Sequence, residues 1–435
     1  MSRGTRPDTV TPGVEIRKMV PGGSGLAFLD GNPLFVPLTA PGDVVIPERV
    51  RAARGVLFAQ PGSILTSSPD RVEPPCPWFG RCGGCSWMHL RYEAQLRWKG
   101  SILLEALRGI GSITADLPIA VRESPVTLGY RYRARLRISG GRAGFLRRGS
   151  GQVVAWDRCR ILPDGLNEAV STLRSLLDSA GGPPGRSVPV SCEVAMSPVD
   201  GAVSFLWDVE RRRGSRSHVR ALMDRLEGTA RERGLEVAGQ AARDGRGKLL
   251  LRRGGGIRLD AAGALLLASP GTFFQVNPAV NGLLVLRVME LLGERGTSSL
   301  LDLYCGNGNF SIPAALRGMD VLGVEASAPA VADAETAAAA GSTFRRMDVA
   351  DFLARDSKSW DAAVLDPPRA GLPAPVTRLL TARKVPVLVY VSCEPSTLAR
   401  DLARLTSAGY SIRRMELVDM FPQTFHAETL VVLER

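Results

Sequence analysis

No stretch of the chain carries the roughly 18 consecutive apolar residues that a membrane-spanning helix needs. The opening MSRGTRPDTV lacks the apolar core of an export signal. Cysteine is sparse and odd in number, seven in 435 residues, which argues against a disulfide framework. These absences lead to the expectation of a cytoplasmic protein in a reducing setting. No internal repeat is found. Lysine is scarce as well: the 55 basic residues comprise five lysines and 50 arginines.

The charge that is present is unevenly spread. The net charge is +12, yet residues 1–270 hold 39 basic against 25 acidic side chains while residues 271–435 hold 16 against 18. A basic front half joined to a near-neutral back half suggests separate tasks, one of them contact with a polyanion. Two arginine-rich runs, Arg131–Arg137 and Arg211–Arg216, are candidates for lying along phosphates.

Residues 12–67 read as short strands broken by the turn signals Asp30-Gly31 and Pro41-Gly42, which fits a small closed β-barrel. Such a barrel either binds single-stranded nucleic acid or packs against its neighbours. The spacing of apolar residues over Leu90–Ile110 predicts a helix, as it does for 166–178 and 218–233. Strands are expected over Tyr130–Ile138, Gly144–Arg148 and Val153–Asp157, and a loop at Gly181–Gly185. Beyond residue 270, apolar runs without polar alternation (300–304, 320–325, 362–366 and 385–392) alternate with helical stretches. That pattern predicts a mostly parallel sheet covered on both faces.

Within Leu301–Pro313, LDLYCGNGNFSIP, a strand enters a loop with Gly306 and Gly308 and leaves as a helix. The third glycine of a dinucleotide fingerprint is replaced by Ser311, and the Gly-Lys-Ser/Thr of a phosphate-binding loop is missing. What remains is Asp302 at a strand end, a tight loop, and Glu325 closing the next strand, where a carboxylate can accept ribose hydroxyls. This suits S-adenosylmethionine, which carries an ammonium and no pyrophosphate. Two further loops follow strands of the same sheet: Asp366-Pro367-Pro368-Arg369 and Ser392-Cys393-Glu394-Pro395. The tail adds FPQTFHAETL, with His426 and Glu428 on one side if extended. A thiolate beside a methyl donor has a chemical rationale. Uracil C5 is too weak a nucleophile to take a methyl group directly, but thiolate addition at C6 makes C5 enolate-like, and a base must then remove the C5 proton. Cys393 and Glu428 fit that pair.

FFQVNP (273–278), LDLYCGNGNF (301–310), GVEAS (323–327), LDPPRAG (365–371), YVSCEPSTLARDL (390–402) and DMFPQTFHAETL (419–430) together resemble the RNA uracil-5-methyltransferase family. The resemblance implies a Rossmann-like class I methyltransferase domain (269–435) behind an OB-like TRAM barrel (8–70), with a central basic α+β domain between them (71–268, of which about 90–123 pack on the catalytic domain). It implies Cys393 as nucleophile and Glu428 as base, with Gln275, Tyr304, Asn309, Glu325, Asp348 and Asp366 lining the cofactor and base pocket. Glu394 stands where the family often has asparagine, and its carboxylate is expected to raise the thiol pKa.

Cys76, Cys82 and Cys85 fall within ten residues, in a C-x5-C-x2-C spacing. A tetrahedral metal centre needs a fourth ligand, for which Cys159, Cys192 and Cys305 are available. Resemblance to the 23S rRNA branch implies a [4Fe-4S] cluster on Cys76, Cys82, Cys85 and Cys159, with zinc as the alternative occupant. It also implies 23S rRNA as substrate, tRNA as the alternative, and a monomer. A non-catalytic RNA-binding protein with a structural zinc site is the reading from another class, and intact Cys393, Glu428 and Gln275 count against it.

Overall fold

Four of the apolar runs become the centre of an eight-stranded sheet because they can be buried on both faces. The computed structural model describes residues 13–113, 118–179, 189–210 and 215–435. The sheet runs Ser342–Arg346, Asp320–Glu325, Ser299–Leu303, Ala362–Leu365, Val387–Ser392, Glu428–Glu434, Ser411–Val418 and Ile119–Arg122. The first five strands are parallel to one another, and Glu428–Glu434 is antiparallel to both of its neighbours. Chain order reverses between Ser299–Leu303 and Ala362–Leu365, and the carboxyl ends of strands beside such a reversal are where open sheets bind ligands. Leu300, Val321, Val364 and Val389 pack on one face, and Leu301, Leu365, Leu388 and Leu402 on the other.

The chain divides into two compact units. The first holds the residues up to Gly80 together with Cys85–Ile102 and Gln423–Phe425, and the second holds Arg81–Gly84, Leu103–Pro422 and His426–Arg435. In the first unit, six strands are ordered Val14–Glu15, Val44–Ala53, Val56–Thr66, Asn32–Pro37, Ser24–Leu29, Lys18–Met19. The two edges come from one segment, Val14–Met19, so the sheet closes on itself and leaves no open edge. Ile16, Ala27, Leu34, Val36 and Val45 fill its interior.

In the second unit, a seven-stranded sheet precedes the eight-stranded one. Its order is Val153–Val154, Arg142–Leu146, Arg133–Ser139, Pro189–Met196, Val203–Val209, Val237–Asp244, Leu249–Gly254. Helices Asp164–Ser179 and Ser215–Glu232 accompany it. The expected run Arg131–Arg137 lies largely on one of these strands, but two of its arginines are committed elsewhere. The Arg133 guanidinium lies over the rings of Phe273 and Phe274, at 4.8 and 5.0 Å from their centres, and Arg135 is ion-paired with Asp208 at 2.5 Å. A third, Arg131, donates its Nε–H to the Arg133 carbonyl at 3.0 Å. The run Arg211–Arg216 lies mostly outside the described residues, as do the loop Gly181–Gly185 and the first residues of the expected barrel. No helix among the described residues is long and apolar enough to cross a membrane.

Candidate active site

Asp302, Glu325, Asp366 and Cys393 sit at or just past the carboxyl ends of central parallel strands, and Glu428 opens the antiparallel strand beside them. Asp302 is the penultimate residue of its strand and fully buried, and its Oδ2 accepts from Ser311 Oγ at 2.5 Å. Burial pushes its carboxyl up to about 7, with Asp366 and Glu325 adding to the rise and Ser311 opposing it. The loop then turns sharply. Tyr304 takes a left-handed φ of +64°, a conformation that costs a non-glycine residue of order 1 kcal/mol or more. Gly308, at φ +88°, leaves no room for a side chain, since an added Cβ would lie 2.8 Å from Ile312 Cδ1. Glu325, closing the adjacent strand, is fixed by two backbone donors: Gly306 N–H to Oε2 at 3.3 Å and Ser327 N–H to Oε1 at 2.7 Å. Burial raises the Tyr304 hydroxyl to about 12, helped by the Asp348, Asp401 and Glu325 carboxylates.

Two of the expected cofactor residues have other engagements. The Asn309 amide is locked in a reciprocal pair with Asn281, at 2.8 and 3.0 Å, which joins the loop to helix Pro278–Gly293. Asp348 caps helix Val349–Arg355 by accepting from Ala350 N–H at 2.8 Å and Asp351 N–H at 3.3 Å.

Across the reversal point, Cys393 follows strand Val387–Ser392 and Glu428 opens the antiparallel strand beside it, where Ser392 pairs with Thr429. Glu428 is 3% exposed, and among the described residues its Oε2 has no hydrogen-bond partner. Its carboxyl is held well above the usual carboxylate range by burial and then by Asp366, with Arg369 acting in the other direction. The Cys393 thiol is pushed up to about 12 by burial, Glu428 and Asp366, again opposed by Arg369. Asp366 is raised by burial to about 7, and a hydrogen bond from the Gln275 side chain pulls against that rise. The carboxylates acting on the thiol are thus Glu428 and Asp366. That of Glu394, expected in this role, instead accepts from Ser396 Oγ at 2.7 Å. His426 packs its ring edge-on against Phe421 at 6.1 Å.

The supports of this cluster are also visible. Leu372 N–H and Tyr390 O–H donate to Asp401 Oδ2 at 2.7 and 3.0 Å, and Thr397 Oγ1 donates to the Arg369 carbonyl at 3.0 Å. These bonds tie the Asp366–Gly371 loop to the helix that begins immediately after Cys393 and Glu394. Gln275 is steadied from both sides. Asn277 caps the following helix and bonds Met420 O at 3.3 Å, while Asp333 accepts from Ser269 N–H at 2.8 Å and Thr272 Oγ1 at 2.6 Å. Sequence reasoning quoted the Arg369 motif without assigning the arginine, and it missed Asp333, whose partners lie 61 and 64 residues away.

The four cysteines proposed as metal ligands are partly buried, and no disulfide joins any of them. Cys82 forms an isolated β-bridge with Arg147, and Cys159 N–H donates to Asn167 Oδ1 at 2.9 Å. Among the described residues, no group of three or more His, Cys, Asp or Glu side chains is arranged to hold a metal ion. The donor set, four sulfurs, is nonetheless the chemistry that iron–sulfur and zinc centres use.

Known proteins resemble the chain over nearly its whole length. A profile of the tRNA (Uracil-5-)-methyltransferase family matches residues 267–353 and 335–435. A 23S rRNA (uracil(1939)-C(5))-methyltransferase of Alkalilimnicola ehrlichii is 35% identical over 95% of this chain and 94% of its own. An uncharacterized RNA methyltransferase of Thermotoga maritima is 33% identical over 97% and 98%. Among solved structures, the Pyrococcus abyssi tRNA (uracil-54, C5)-methyltransferase, in complex with S-adenosyl-L-homocysteine, superposes with a TM-score of 0.75. It is 26% identical and covers 97% of this chain and 100% of that one.

Proposed function

The chain belongs to the RNA uracil-5-methyltransferase family, and from that premise we propose that it methylates C5 of a uridine in 23S rRNA through a covalent bond between Cys393 and C6 of the base. The observation that carries the reading is the meeting of one thiol, two raised carboxyls and one guanidinium at the ends of neighbouring strands. Each has work in the reaction. The Cys393 thiolate adds to C6, and the C5=C6 electrons move toward the C4 oxygen. C5 then takes the methyl group that bound S-adenosylmethionine would supply, the methyl–sulfur bond breaking to leave S-adenosylhomocysteine. Glu428 then removes the C5 proton, the C5=C6 bond re-forms, and the thiolate leaves. A carboxyl with an unpartnered oxygen, buried beside the thiol, suits that proton transfer. Gln275 and Asp366 lie where polar groups could orient the base, and the Arg369 cation favours the thiolate.

On the cofactor side, Glu325 has lone pairs left for ribose hydroxyls and the Gly306–Gly308 loop lets backbone come close. Tyr304 and Asp348 border the same space, and Asn309 acts through Asn281. The closed six-stranded sheet has the connectivity of an OB-type barrel and supports the TRAM reading. Cys76, Cys82, Cys85 and Cys159 would hold a [4Fe-4S] cluster in a structural role, since uracil methylation moves no electrons. Zinc would use the same four sulfurs.

The 23S rRNA relatives favour that substrate, and the archaeal structure favours tRNA as the second reading. Incubating the purified protein with methyl-labelled cofactor and separate 23S rRNA and tRNA pools decides between them. Label as 5-methyluridine in 23S rRNA is expected. Label in tRNA alone would select the second reading, and label in neither would remove both.

A further inference from the structure

The barrel carries a feature that depends on strand register and not on composition. Lys18 is paired with Leu26, Leu26 with Phe35, Phe35 with Phe58, and Phe58 with Arg51. Directly paired residues share a face, so these five side chains form one row across the sheet. The inward face is occupied by Ala27, Leu34, Val36 and Ala59, the sequence neighbours of the row, so the row lies on the outside of the barrel. The Phe35 and Phe58 rings are 5.5 Å apart and tilted by 34°, and the Arg51 guanidinium is 5.1 Å from the Phe58 ring centre. Phe28 points to the same face two residues after Leu26. It is 41% exposed, with the Arg17 guanidinium 5.1 Å from its ring centre. The row thus places apolar and aromatic groups in its middle, cations at both ends, and no carboxylate within it.

We infer that this outer face, built on Phe28, Phe35 and Phe58 and flanked by Arg17, Lys18 and Arg51, is a stacking platform for unpaired bases of the RNA substrate. The inference rests on the RNA-methyltransferase reading and adds to it where, and through which side chains, the barrel takes hold. The ring faces of Phe28 and Phe58 are shared with guanidinium planes. Rings beside cations, Phe28 exposed and Phe35 and Phe58 half-buried, match the two needs of a single strand, a π surface for bases and a positive charge for phosphates. Neighbouring strands lie about 4.8 Å apart, so the five-residue row extends about 19 Å. That is enough for a short run of nucleotides.

The test is direct binding of the full-length protein to a fluorescent single-stranded oligouridine, with methylation of 23S rRNA measured in parallel. Phe28→Ala and Arg51→Glu are chosen because both positions are exposed, and a thermal melt reports that each variant is folded. Loss of one stacked base should weaken binding by Phe28→Ala about 5- to 100-fold. Arg51→Glu should weaken it and reduce the dependence of log Kd on log salt by about 0.7 or more. Both variants should raise KM for rRNA while leaving kcat near wild type. Binding by both variants within twofold of wild type would overturn the platform, whatever the methylation result. Absence of RNA methylation by the wild-type protein would instead refute the functional reading, and the oligouridine arm would still judge the platform.

Discussion

Replacing Glu428 by glutamine keeps the shape of the side chain and removes only its ability to take a proton. The carboxyl is 3% exposed, one of its oxygens has no hydrogen-bond partner, and burial followed by Asp366 holds its pKa up. A general base in such a site contributes about 10²- to 10⁴-fold, so turnover of Glu428→Gln should fall by that factor, or about 3–5 kcal/mol on the barrier. Thiolate addition and methyl acceptance do not use this residue. The variant should therefore stall after them and accumulate an RNA–protein adduct, visible as a slow band with labelled RNA on a denaturing gel. The same change removes the foremost charged group that pushes the Cys393 thiol up, so alkylation of Cys393 by iodoacetamide should speed several-fold at fixed pH. Turnover within tenfold of wild type, or a complete lack of adduct under single-turnover conditions, would refute the assignment of Glu428 as the base.

Cys393→Ala should abolish methylation while leaving cofactor and RNA affinity within about threefold, as read by calorimetry and gel shift. In the wild-type protein the thiol lies near 12, so its alkylation rate should rise about tenfold per pH unit between about pH 8 and 10. Asp302 and Asp366, both raised to about 7, bind more protons folded than unfolded near neutrality. Their contribution to stability is complete below about pH 4 and lost as pH rises through about 7. The cofactor-free protein should accordingly melt lower at pH 8 than at pH 6, and Asp302→Asn should flatten that difference, which for one such residue is about 1.4 kcal/mol between those two pH values. Asp333→Ala releases the loop before Gln275 and should raise KM for RNA severalfold, with Asp333→Glu restoring part of it. Anaerobically purified protein should carry about four irons per chain, lost in Cys159→Ser and kept in Cys192→Ser; zinc in their place would refute the iron cluster.

The central sheet was readable from the chain because a strand buried on both faces has to be apolar along its length, as in Ala362–Leu365 and in Val387–Ser392 up to its final serine. The site was readable because Cys393, Asp366 and Asp302 stand at or just beyond the carboxyl ends of such runs. What could not be read depends on who meets whom across long separations. Nothing local indicates that Asn309 will spend its amide on Asn281, or that Arg133 will lie over Phe273 and Phe274. Pattern alone left the barrel's role open between nucleic-acid binding and packing, because the outer row of Lys18, Leu26, Phe35, Phe58 and Arg51 exists only once strand register is known. The allotment of Gln423–Phe425 to the first unit has the same origin. Gln423 exchanges hydrogen bonds with Gln95, 328 residues earlier, at 2.8 and 3.0 Å.

The claim at the centre is a bond between Cys393 and the uracil ring. An RNA substrate carrying 5-fluorouridine presents no removable C5 proton, so the adduct cannot collapse after methylation. Mass spectrometry of the digested complex should then find the peptide containing Cys393 joined to 5-fluorouridine, one methyl group heavier. Methylated RNA with no peptide attached, or attachment at any residue other than Cys393, would contradict it.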